Sequence, residues 1–315
     1  MVKIDIAKPL MLSSDYDKIF SNNVVVIVGL SRSGKSVLGK IVGSLKNAMY
    51  LFEPVIIRYL PALAEIKYLD IDLCGQLLKG ILFEDYYLQL LQGRNLNLKE
   101  EENSYFGHYQ DMEDIRKRWG KYKRRNDLLP DIYEGKYTFM FKISEVHPLL
   151  PVLGKIFKGL KVIHMVRDGN EVISSSLKRG WYSDEFLNYY MSQWTYKGKT
   201  RYPWYIKEED VDEFCNWNRE TRIAYIWKVL TKTVRDTYAG KDNYLELRYE
   251  KLIKDPETTT RLCTDFLGLK KTDITDKHIT AVKEHVLTKH IDLSFAICDK
   301  QRAVFNAYMK ELDYL

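Results

Sequence analysis

Residues 24–36, VVVIVGLSRSGKS, give the clearest indication of the architecture. Its first five residues are β-branched and apolar, as is typical of a strand that is buried on both faces. Residues 29–36 match the phosphate-binding pattern G-x4-G-K-[ST], and a helical pattern follows over residues 37–45. In such a strand–loop–helix unit the loop N–H groups converge on phosphate oxygens, and the helix N-terminus adds favourable partial charge. The stretch therefore predicts a phosphate-binding loop.

Further short apolar runs read as buried strands, at residues 137–141, 162–166 and 244–247. Helix-like segments alternate with them, at residues 149–157, 170–178, 212–237 and 257–267. This alternation indicates an α/β domain with a parallel sheet. Between about residues 55 and 130 the pattern is helical and polar. We therefore expect one domain over residues 1–315, a P-loop-type parallel sheet flanked by helices, with a helical insertion or acceptor cap over residues 55–130.

The composition narrows the class of protein. With 45% hydrophobic and 29% charged residues, the chain is ordinary for a globular protein, which argues against disorder and fibrous repeats. The longest uncharged apolar run, residues 24–30, is far shorter than the roughly 18 residues of a membrane span. The first residues lack a signal-peptide pattern, so we expect a cytoplasmic protein. A net charge of +6 fits an anionic ligand but is too small to indicate nucleic-acid binding.

The metal-ligating residue types form no recognisable pattern. The four cysteines lie far apart without a CxxC pair, and the six histidines include no HExxH sequence. Buried thiols are the simpler interpretation of the cysteines. We therefore expect no bound metal.

The loop pattern alone leaves the donor open. A kinase that uses ATP and magnesium also needs an acidic metal ligand at the end of a second strand, and Asp168 is the candidate. Arg167 precedes it, and an arginine suits a bare phosphate better than a magnesium ion. A small-molecule kinase built on residues 29–36 and Asp168 remains an alternative. So does an adaptor that binds nucleotide without turnover.

Three segments, in order along residues 24 to 270, resemble the sulfotransferases that use 3′-phosphoadenosine 5′-phosphosulfate (PAPS). The tripeptide Arg32-Ser33-Gly34, with Ser36, is similar to their 5′-phosphosulfate loop, although Lys35 stands where the family usually has Thr or Ser. The segment VRDGNEVISS, residues 166–175, resembles their 3′-phosphate segment. The third segment, LRYEKLIKDP at residues 247–256 followed by FLGL, resembles their RYEDL…P…FLGL stretch. The residues of these segments, VRDG among them, are more similar to the Golgi tyrosylprotein and carbohydrate sulfotransferases than to the cytosolic phenol-sulfating enzymes.

The resemblance implies a donor site and a reaction. PAPS would transfer its sulfonate to a hydroxyl acceptor by in-line displacement and leave adenosine 3′,5′-bisphosphate, with fixed cations in place of a metal. Arg32 is also implied to stabilise the transition state. The residues implied to bind the donor are Arg32, Ser33, Gly34, Lys35, Ser36 and Val37 at the 5′ end, Arg167, Ser175 and Arg179 at the 3′-phosphate, and Tyr249 near the nucleotide.

Two further residues are implied to take part in the chemistry. Lys142, which closes the apolar run 137–141, resembles the lysine that faces the bridging oxygen in tyrosylprotein sulfotransferases. Glu53 resembles the glutamate that takes the acceptor proton, and its position between Phe52 and Pro54 predicts a raised pKa through desolvation. For Lys142, the alternative is a solvated side chain at the end of a strand. For Glu53, the alternative is a carboxylate that begins a helix over residues 55–63, in which case His108 is the candidate base.

The acceptor side of the sequence is less specific. Residues 116–125 carry seven basic side chains, usually a solvated helix face, with a cationic rim that steers an anionic acceptor as the alternative. Lys300 and Arg302 are a further hypothesis for covering the 3′-phosphate. An aromatic set predicts a packed helix pair, with stacking of a sugar or lipid-like acceptor as the alternative: Trp181, Tyr182, Phe186, Tyr189, Tyr190, Trp194 and Trp204.

Overall fold

A computed structural model describes residues 15–21, 23–189, 194–284 and 292–315. Its centre is a five-stranded sheet in which every pairing is parallel. The strands of this sheet are β1 (Val24–Val28), β2 (Ala48–Phe52), β3 (Thr138–Lys142), β4 (Lys161–Val166) and β7 (Tyr244–Arg248), in the order β2-β3-β1-β4-β7. Two further strands, β5 (Trp194–Lys197) and β6 (Thr200–Pro203), form a separate antiparallel hairpin.

Helices connect the strands and cover both faces of the sheet. The α-helices are α1 (Asp15–Ile19), α2 (Lys35–Gly43), α3 (Ile56–Glu65), α4 (Ile71–Ile81), α5 (Leu88–Leu91), α6 (Met112–Lys121), α7 (Leu129–Tyr133), α8 (Leu150–Ile156), α9 (Gly169–Leu177), α10 (Asp184–Tyr189), α11 (Val211–Asn216), α12 (Arg219–Tyr238), α13 (Tyr249–Lys254), α14 (Pro256–Leu267), α15 (Asp273–Lys283) and α16 (Asp299–Glu311). A π-helix, Leu82–Tyr87, joins α4 to α5. Single 3₁₀ turns lie at Phe106–His108, Arg125–Leu128, His147–Leu149, Glu208–Asp210 and Ser294–Ala296.

The two faces of the sheet belong to two apolar clusters. Successive residues of a strand point to opposite faces. Val24, Val26 and Val28 of β1 therefore pack with α1, α3–α5, α8, α9, α12 and α16. Val25 and Ile27 pack on the other face with α2 and α13–α15. This burial on both sides explains why the strands read as continuous apolar runs.

The predicted α/β fold with a parallel sheet is confirmed. The apolar runs at residues 137–141, 162–166 and 244–247 are β3, β4 and β7, with ends that agree to within one residue. Strand β2 was not among the predicted strands. The helix predicted over residues 212–237 is two helices, because the side chain of Asn218 accepts a hydrogen bond from the Thr221 N–H and so begins α12 anew.

The segment that the sequence analysis describes as a helical and polar insertion contains the helices α3 to α7, and several of its apolar residues are buried. Leu78, Leu82, Phe83 and Tyr87 are fully buried, and they belong to the same cluster as the strand residues. The helical spacing places these apolar residues on one face, which covers the sheet, while polar residues occupy the other face. None of the helices within the described ranges is long and apolar enough to cross a membrane.

Candidate active site

Residues that follow all five parallel strands line one cleft of about 680 Å³. In parallel sheets, ligands bind beside the carboxyl ends of the strands, so this is the expected edge. The cleft brings together ten of the twelve site residues predicted from the sequence: Arg32, Gly34, Lys35, Ser36, Val37, Glu53, Lys142, Arg167, Arg179 and Tyr249. The other two, Ser33 and Ser175, lie within the loop and against Arg32.

The loop between β1 and α2 has the backbone shape of a phosphate cradle. Arg32 and Gly34 adopt positive φ angles of 72° and 94°. A Cβ atom at Gly34 would collide with the ring of Tyr249, which follows β7. Glycine is therefore required here both for the backbone conformation and for the close approach of this aromatic ring.

Lys35 is a buried cation inside the loop. Its ammonium donates to the Leu30 carbonyl at 2.7 Å, and the residue is 3% exposed. Burial, and next the positive charge of Lys142, lower the pKa of Lys35 to about 7. The neighbouring Ser33 hydroxyl is buried and has no hydrogen-bond partner in the described part of the chain. Both groups are suited to an anion, which would supply the ammonium with a counter-charge and the hydroxyl with an acceptor.

Three arginines converge at one end of the cleft. Arg32 Nε donates to the Ser175 hydroxyl at 2.9 Å, and Arg167 Nη1 donates to the Arg32 carbonyl at 3.0 Å. Burial lowers the pKa of Arg32, and the like charges of Arg179 and Arg167 lower it further. Positive groups that repel one another in this way are favourably arranged for a ligand with several negative charges.

Arg167 lies over an aromatic ring. Its guanidinium carbon is 4.3 Å from the centre of the Tyr249 ring, and its Nη2 donates to Glu171 at 3.2 Å. The Nε atom is buried, and no partner for it is found among the described residues. Stacking of this kind fixes the plane of a guanidinium without using its N–H donors. Arg167 thus keeps donor capacity at the edge of the cleft.

Glu53 and Lys142 meet at the ends of the adjacent strands β2 and β3. Lys142 Nζ and the Ser144 hydroxyl each donate to Glu53 Oε1 at 2.8 Å, while Arg58 lies 4.0 Å from Oε2. Burial raises the pKa of Glu53, but Lys142, Ser144 and Arg58 together outweigh burial, and the net pKa is lowered. The sequence-based prediction of a raised pKa is therefore wrong. The pKa is lowered because Lys142, Ser144 and Arg58, which all lie outside the segment Phe52–Pro54, surround the carboxylate.

Two charged residues of the cleft were missed by the sequence interpretation. Arg58 projects from α3, and Glu145 follows Lys142 by three positions in the loop after β3. Glu145 accepts hydrogen bonds from Tyr182 at 2.8 Å, from Tyr205 at 3.3 Å and from Ser31 at 3.3 Å. It thereby ties the aromatic wall of the cleft to the loop. Its place just past a strand end is the only sequence signal that would have indicated it.

The four histidines within the described ranges lie outside the cleft lining. His108 packs against His278 at the far side of the insertion, and burial lowers its pKa. His147 and His164 are buried, and burial lowers the pKa of each to about 3. The interpretation of the last two as core or turn histidines agrees with these positions. As far as the described residues show, the cleft therefore offers Glu53 and Glu145, rather than an imidazole, as its proton acceptors.

Asp168 caps a helix, whereas a kinase would require this carboxylate as a magnesium ligand. Its carboxylate accepts from the backbone N–H groups of Asn170 and Glu171 and so caps α9. The residue is 6% exposed and is not part of the cleft lining. In the described ranges, no group of three or more His, Cys, Asp or Glu residues is arranged to hold a metal ion.

The basic run at residues 116–125 lies away from the cleft. Lys117, Arg118 and Lys121 line a different depression, beside the amino ends of β2 and β3. Lys117 pairs with Glu113 and Lys121 with Asp131 at 2.8 Å each. These three side chains lie at the opposite ends of the strands, and no residue of the run lines the cleft, which favours the solvated helix face over a cationic rim.

Two sequence hypotheses remain: Lys300 and Arg302 as a cover for the 3′-phosphate, and the aromatic set as a wall for the acceptor. Arg302 donates to the carbonyls of Ser294, Phe295 and Ile297, and Lys300 pairs with Glu213, so both are engaged elsewhere. Of the aromatic set, Tyr189 is 80% exposed, whereas Tyr190 and the side chain of Trp194 lie outside the described part of the structure. The four members of that set that line the cleft are Trp181, Tyr182, Phe186 and Trp204.

Comparison with known proteins gives one family. A sequence model of the Sulfotransferase family matches residues 24–273. No curated protein is significantly similar in sequence. Among solved structures, the sulfotransferase domain from the Synechococcus PCC 7002 olefin synthase is 14% identical, with 92% of this chain and 95% of that chain covered and a TM-score of 0.46. The sulfotransferase domain from the curacin biosynthetic pathway is also 14% identical, with 93% and 98% covered and a TM-score of 0.47. Mouse sulfotransferase SULT7A1, complexed with PAP, is 13% identical, with 96% and 89% covered and a TM-score of 0.40.

Proposed function

Because the chain belongs to the sulfotransferase family, we propose that it transfers a sulfonate group from PAPS to a hydroxyl acceptor by in-line displacement. The observation that carries the choice of donor is the cluster of Arg32, Arg167 and Ser175 beside the phosphate loop. PAPS has a 3′-phosphate that ATP lacks, and this cluster supplies cations and a hydroxyl where such a group needs partners.

The donor extends from the loop to this cluster. Lys35, Ser33 and the backbone N–H groups of residues 34–37 hold the 5′-phosphosulfate at the start of α2. Arg167, Ser175 and Arg179 hold the 3′-phosphate, and Tyr249 supports Arg167 from below. The orphaned Ser33 hydroxyl and Arg167 Nε support this assignment, because a buried polar atom without a partner is costly unless a ligand satisfies it.

The reaction follows from the pair at the ends of β2 and β3. Glu53 takes the proton of the acceptor hydroxyl on Oε2, the oxygen that Lys142 and Ser144 leave open. The acceptor oxygen forms a bond to sulfur, while the bond from sulfur to the bridging oxygen breaks. The electron pair of that bond passes to the 5′-phosphate of adenosine 3′,5′-bisphosphate. Lys142, with Arg32 and Lys35, stabilises the charge that develops there.

The acceptor site is the aromatic part of the cleft. Trp181, Phe186 and Trp204 line it, with Arg58 and Glu53 at the catalytic end. A tyrosyl side chain, a carbohydrate or a small hydroxylated molecule all fit such walls, because each offers a flat face for stacking and a nucleophilic hydroxyl. An anionic acceptor would have to be met by Arg58, since the basic run lies elsewhere.

Four broader predictions remain part of this proposal. We propose that residues 1–315 act as one domain, with the insertion contributing Arg58 of α3 and Asn103 of a turn to the cleft. A closer likeness to the Golgi-type enzymes, a location in the cytoplasm and the lack of nucleic-acid binding stay predictions from the sequence. The kinase alternative is weakened by the position of Asp168, whose carboxylate is occupied as a helix cap.

Ligand-dependent thermal unfolding tests the donor. Adenosine 3′,5′-bisphosphate in EDTA, at about a hundred times its Kd, is expected to stabilise the protein by about 2.7 kcal/mol, a rise in Tm of about 5 °C. Arg167→Ala is the matched control and is expected to lose most of this rise. Stabilisation by ATP with magnesium alone would instead favour the kinase. Transfer of ³⁵S from labelled PAPS to a host extract then identifies the acceptor.

A further inference from the structure

The junction between β7 and α13 contacts two other parts of the molecule, the turn after β4 and the C-terminal segment, through three consecutive residues. Tyr249 lies beneath the Arg167 guanidinium. On its two sides, Arg248 Nη1 donates to the Leu312 carbonyl at 3.0 Å, and Glu250 faces the turn after β4. The ring that supports Arg167 is therefore fixed by its neighbours in sequence as well as by its own packing.

Glu250 bridges these two parts. Its Oε1 accepts from the backbone N–H of Asp168 at 2.9 Å, and its Oε2 accepts from the Tyr314 hydroxyl at 3.0 Å. The Tyr314 ring in turn lies 4.9 Å from the guanidinium carbon of Arg248. Burial, and next the charge of Glu250, raise the pKa of Tyr314, so its hydroxyl remains a donor at neutral pH. One carboxylate thus connects residue 168, next to Arg167, with residue 314.

Helices α12 and α16 support the turn after β4, which contains Arg167 and Asp168 and leads into Gly169 of α9. Trp227 donates from its indole N–H to the Arg167 carbonyl at 3.0 Å, and its ring packs 5.3 Å from Phe305 of α16. A Cβ atom at Gly169 would come within 2.6 Å of the Phe305 ring, so backbone and ring are in close contact. The backbone on both sides of residue 168 is therefore fixed by groups that lie outside the cleft lining.

We propose that Glu250 and Tyr314 are positioning residues that hold Arg167 and Tyr249 in register and thereby set the preference for a donor with a 3′-phosphate. This inference rests on the proposed function, because it assigns Arg167 to that phosphate. Neither residue lines the cleft. Both act through Arg167. They hold Asp168, its neighbour in the chain, and Tyr249, whose ring lies beneath its guanidinium.

The test compares two ligands that differ only in the 3′-phosphate. The affinities of adenosine 3′,5′-bisphosphate and adenosine 5′-phosphate are measured by calorimetry on the full chain. The variants are Tyr314→Phe, which keeps the ring over Arg248, Glu250→Ala, and Glu250→Gln, whose amide keeps one acceptor oxygen and replaces the other by an NH2 donor. Tyr238→Phe is the matched control, since it also removes a hydrogen-bonded tyrosine hydroxyl, here one that donates to the Leu150 carbonyl at 3.1 Å.

We expect Tyr314→Phe and Glu250→Ala to weaken the bisphosphate about five- to tenfold, as for loss of one or two hydrogen bonds, and to leave the 5′-phosphate within about twofold. Glu250→Gln should recover part of the preference, and Tyr238→Phe should change neither affinity. Equal weakening of both ligands, or an unchanged ratio, would overturn the positioning role. A wild-type protein that does not prefer the bisphosphate would overturn the proposed donor instead. If Glu250→Ala does not fold, Tyr314→Phe carries the test alone.

Discussion

Glu53 accepts a 2.8 Å hydrogen bond from Lys142, although the two residues are 89 positions apart in the chain. The backbone repeats the contact, since the Glu53 N–H donates to the Lys142 carbonyl at 2.9 Å. Adjacent parallel strands that end at the same level bring them together. The pair is therefore a product of the sheet, and it places a carboxylate that is ionised at neutral pH beside a buried ammonium.

Replacement of the proposed base is the first prediction. Glu53→Gln keeps the size of the side chain and an acceptor for Lys142 but removes the proton acceptor. We expect kcat to fall at least about a hundredfold, with the affinity for adenosine 3′,5′-bisphosphate within about twofold of wild type. Steady-state kinetics with labelled PAPS and calorimetry measure the two quantities. His108→Gln serves as the control and should leave kcat unchanged. Near-normal turnover of Glu53→Gln would assign the base to another residue.

The second prediction concerns protons and Lys35. With a pKa of about 7, this ammonium is mostly neutral in the free protein at pH 8. A bound phosphate raises that pKa, so binding must take up a proton, and affinity falls as pH rises above about 7, by at most about tenfold per unit. Calorimetry at pH 8 in two buffers of different ionisation enthalpy measures the uptake. Lys35→Met should abolish it, and a wild-type protein without uptake would contradict the prediction.

The third prediction concerns the contact between Gly34 and Tyr249. Gly34→Ala places a methyl group against the ring and strains a backbone with φ of 94°, at a cost of about 1 kcal/mol or more. Displacement of the ring also removes support from Arg167, so we expect the affinity for the bisphosphate to fall more than tenfold. Denaturant unfolding and calorimetry measure the two effects.

Gly120→Ala is the control for this change. Gly120 is exposed in α6, and nothing lies within 4 Å of a Cβ built there. Alanine is the better helix former, so this variant should gain up to about 1 kcal/mol and bind the nucleotide as wild type does. Equal behaviour of the two variants would show that the Tyr249 contact has no role in binding.

The fourth prediction separates the two clusters of basic residues. Arg116 and Arg124 belong to the basic run, no residue of which lines the cleft, whereas Arg58 does line it. The double substitution Arg116→Gln and Arg124→Gln should leave the acceptor KM and its salt dependence unchanged. Arg58→Gln should change the acceptor KM severalfold. These outcomes are read from kinetics at two ionic strengths. A raised KM in the double variant would restore the steering role of the run.

The sequence carries the parts of the site that are local. The loop at residues 29–36 and the pair Arg167 and Ser175 are contiguous patterns, and the structure gathers them in one place. Arg58 and Glu145 belong to no pattern, because only the packing of α3 and the turn after β3 directs them into the cleft. The direction of the Glu53 pKa fails for the same reason, since its adjacent residues Phe52 and Pro54 are apolar while its hydrogen-bond donors are distant in sequence.

The strand order β2-β3-β1-β4-β7 places the proposed catalytic groups and the proposed nucleotide-binding groups on opposite sides of β1. In the proposed reaction, the left-hand strands β2 and β3 supply the groups that move a proton, and the right-hand strands β4 and β7 supply those that identify the nucleotide. The loop after β1 stands between them and serves both. The acceptor walls come from a third source, the connection between β4 and β7 that carries Trp181, Phe186 and Trp204, so substitutions there can change the acceptor while the strand ends go on binding the same sulfonate donor.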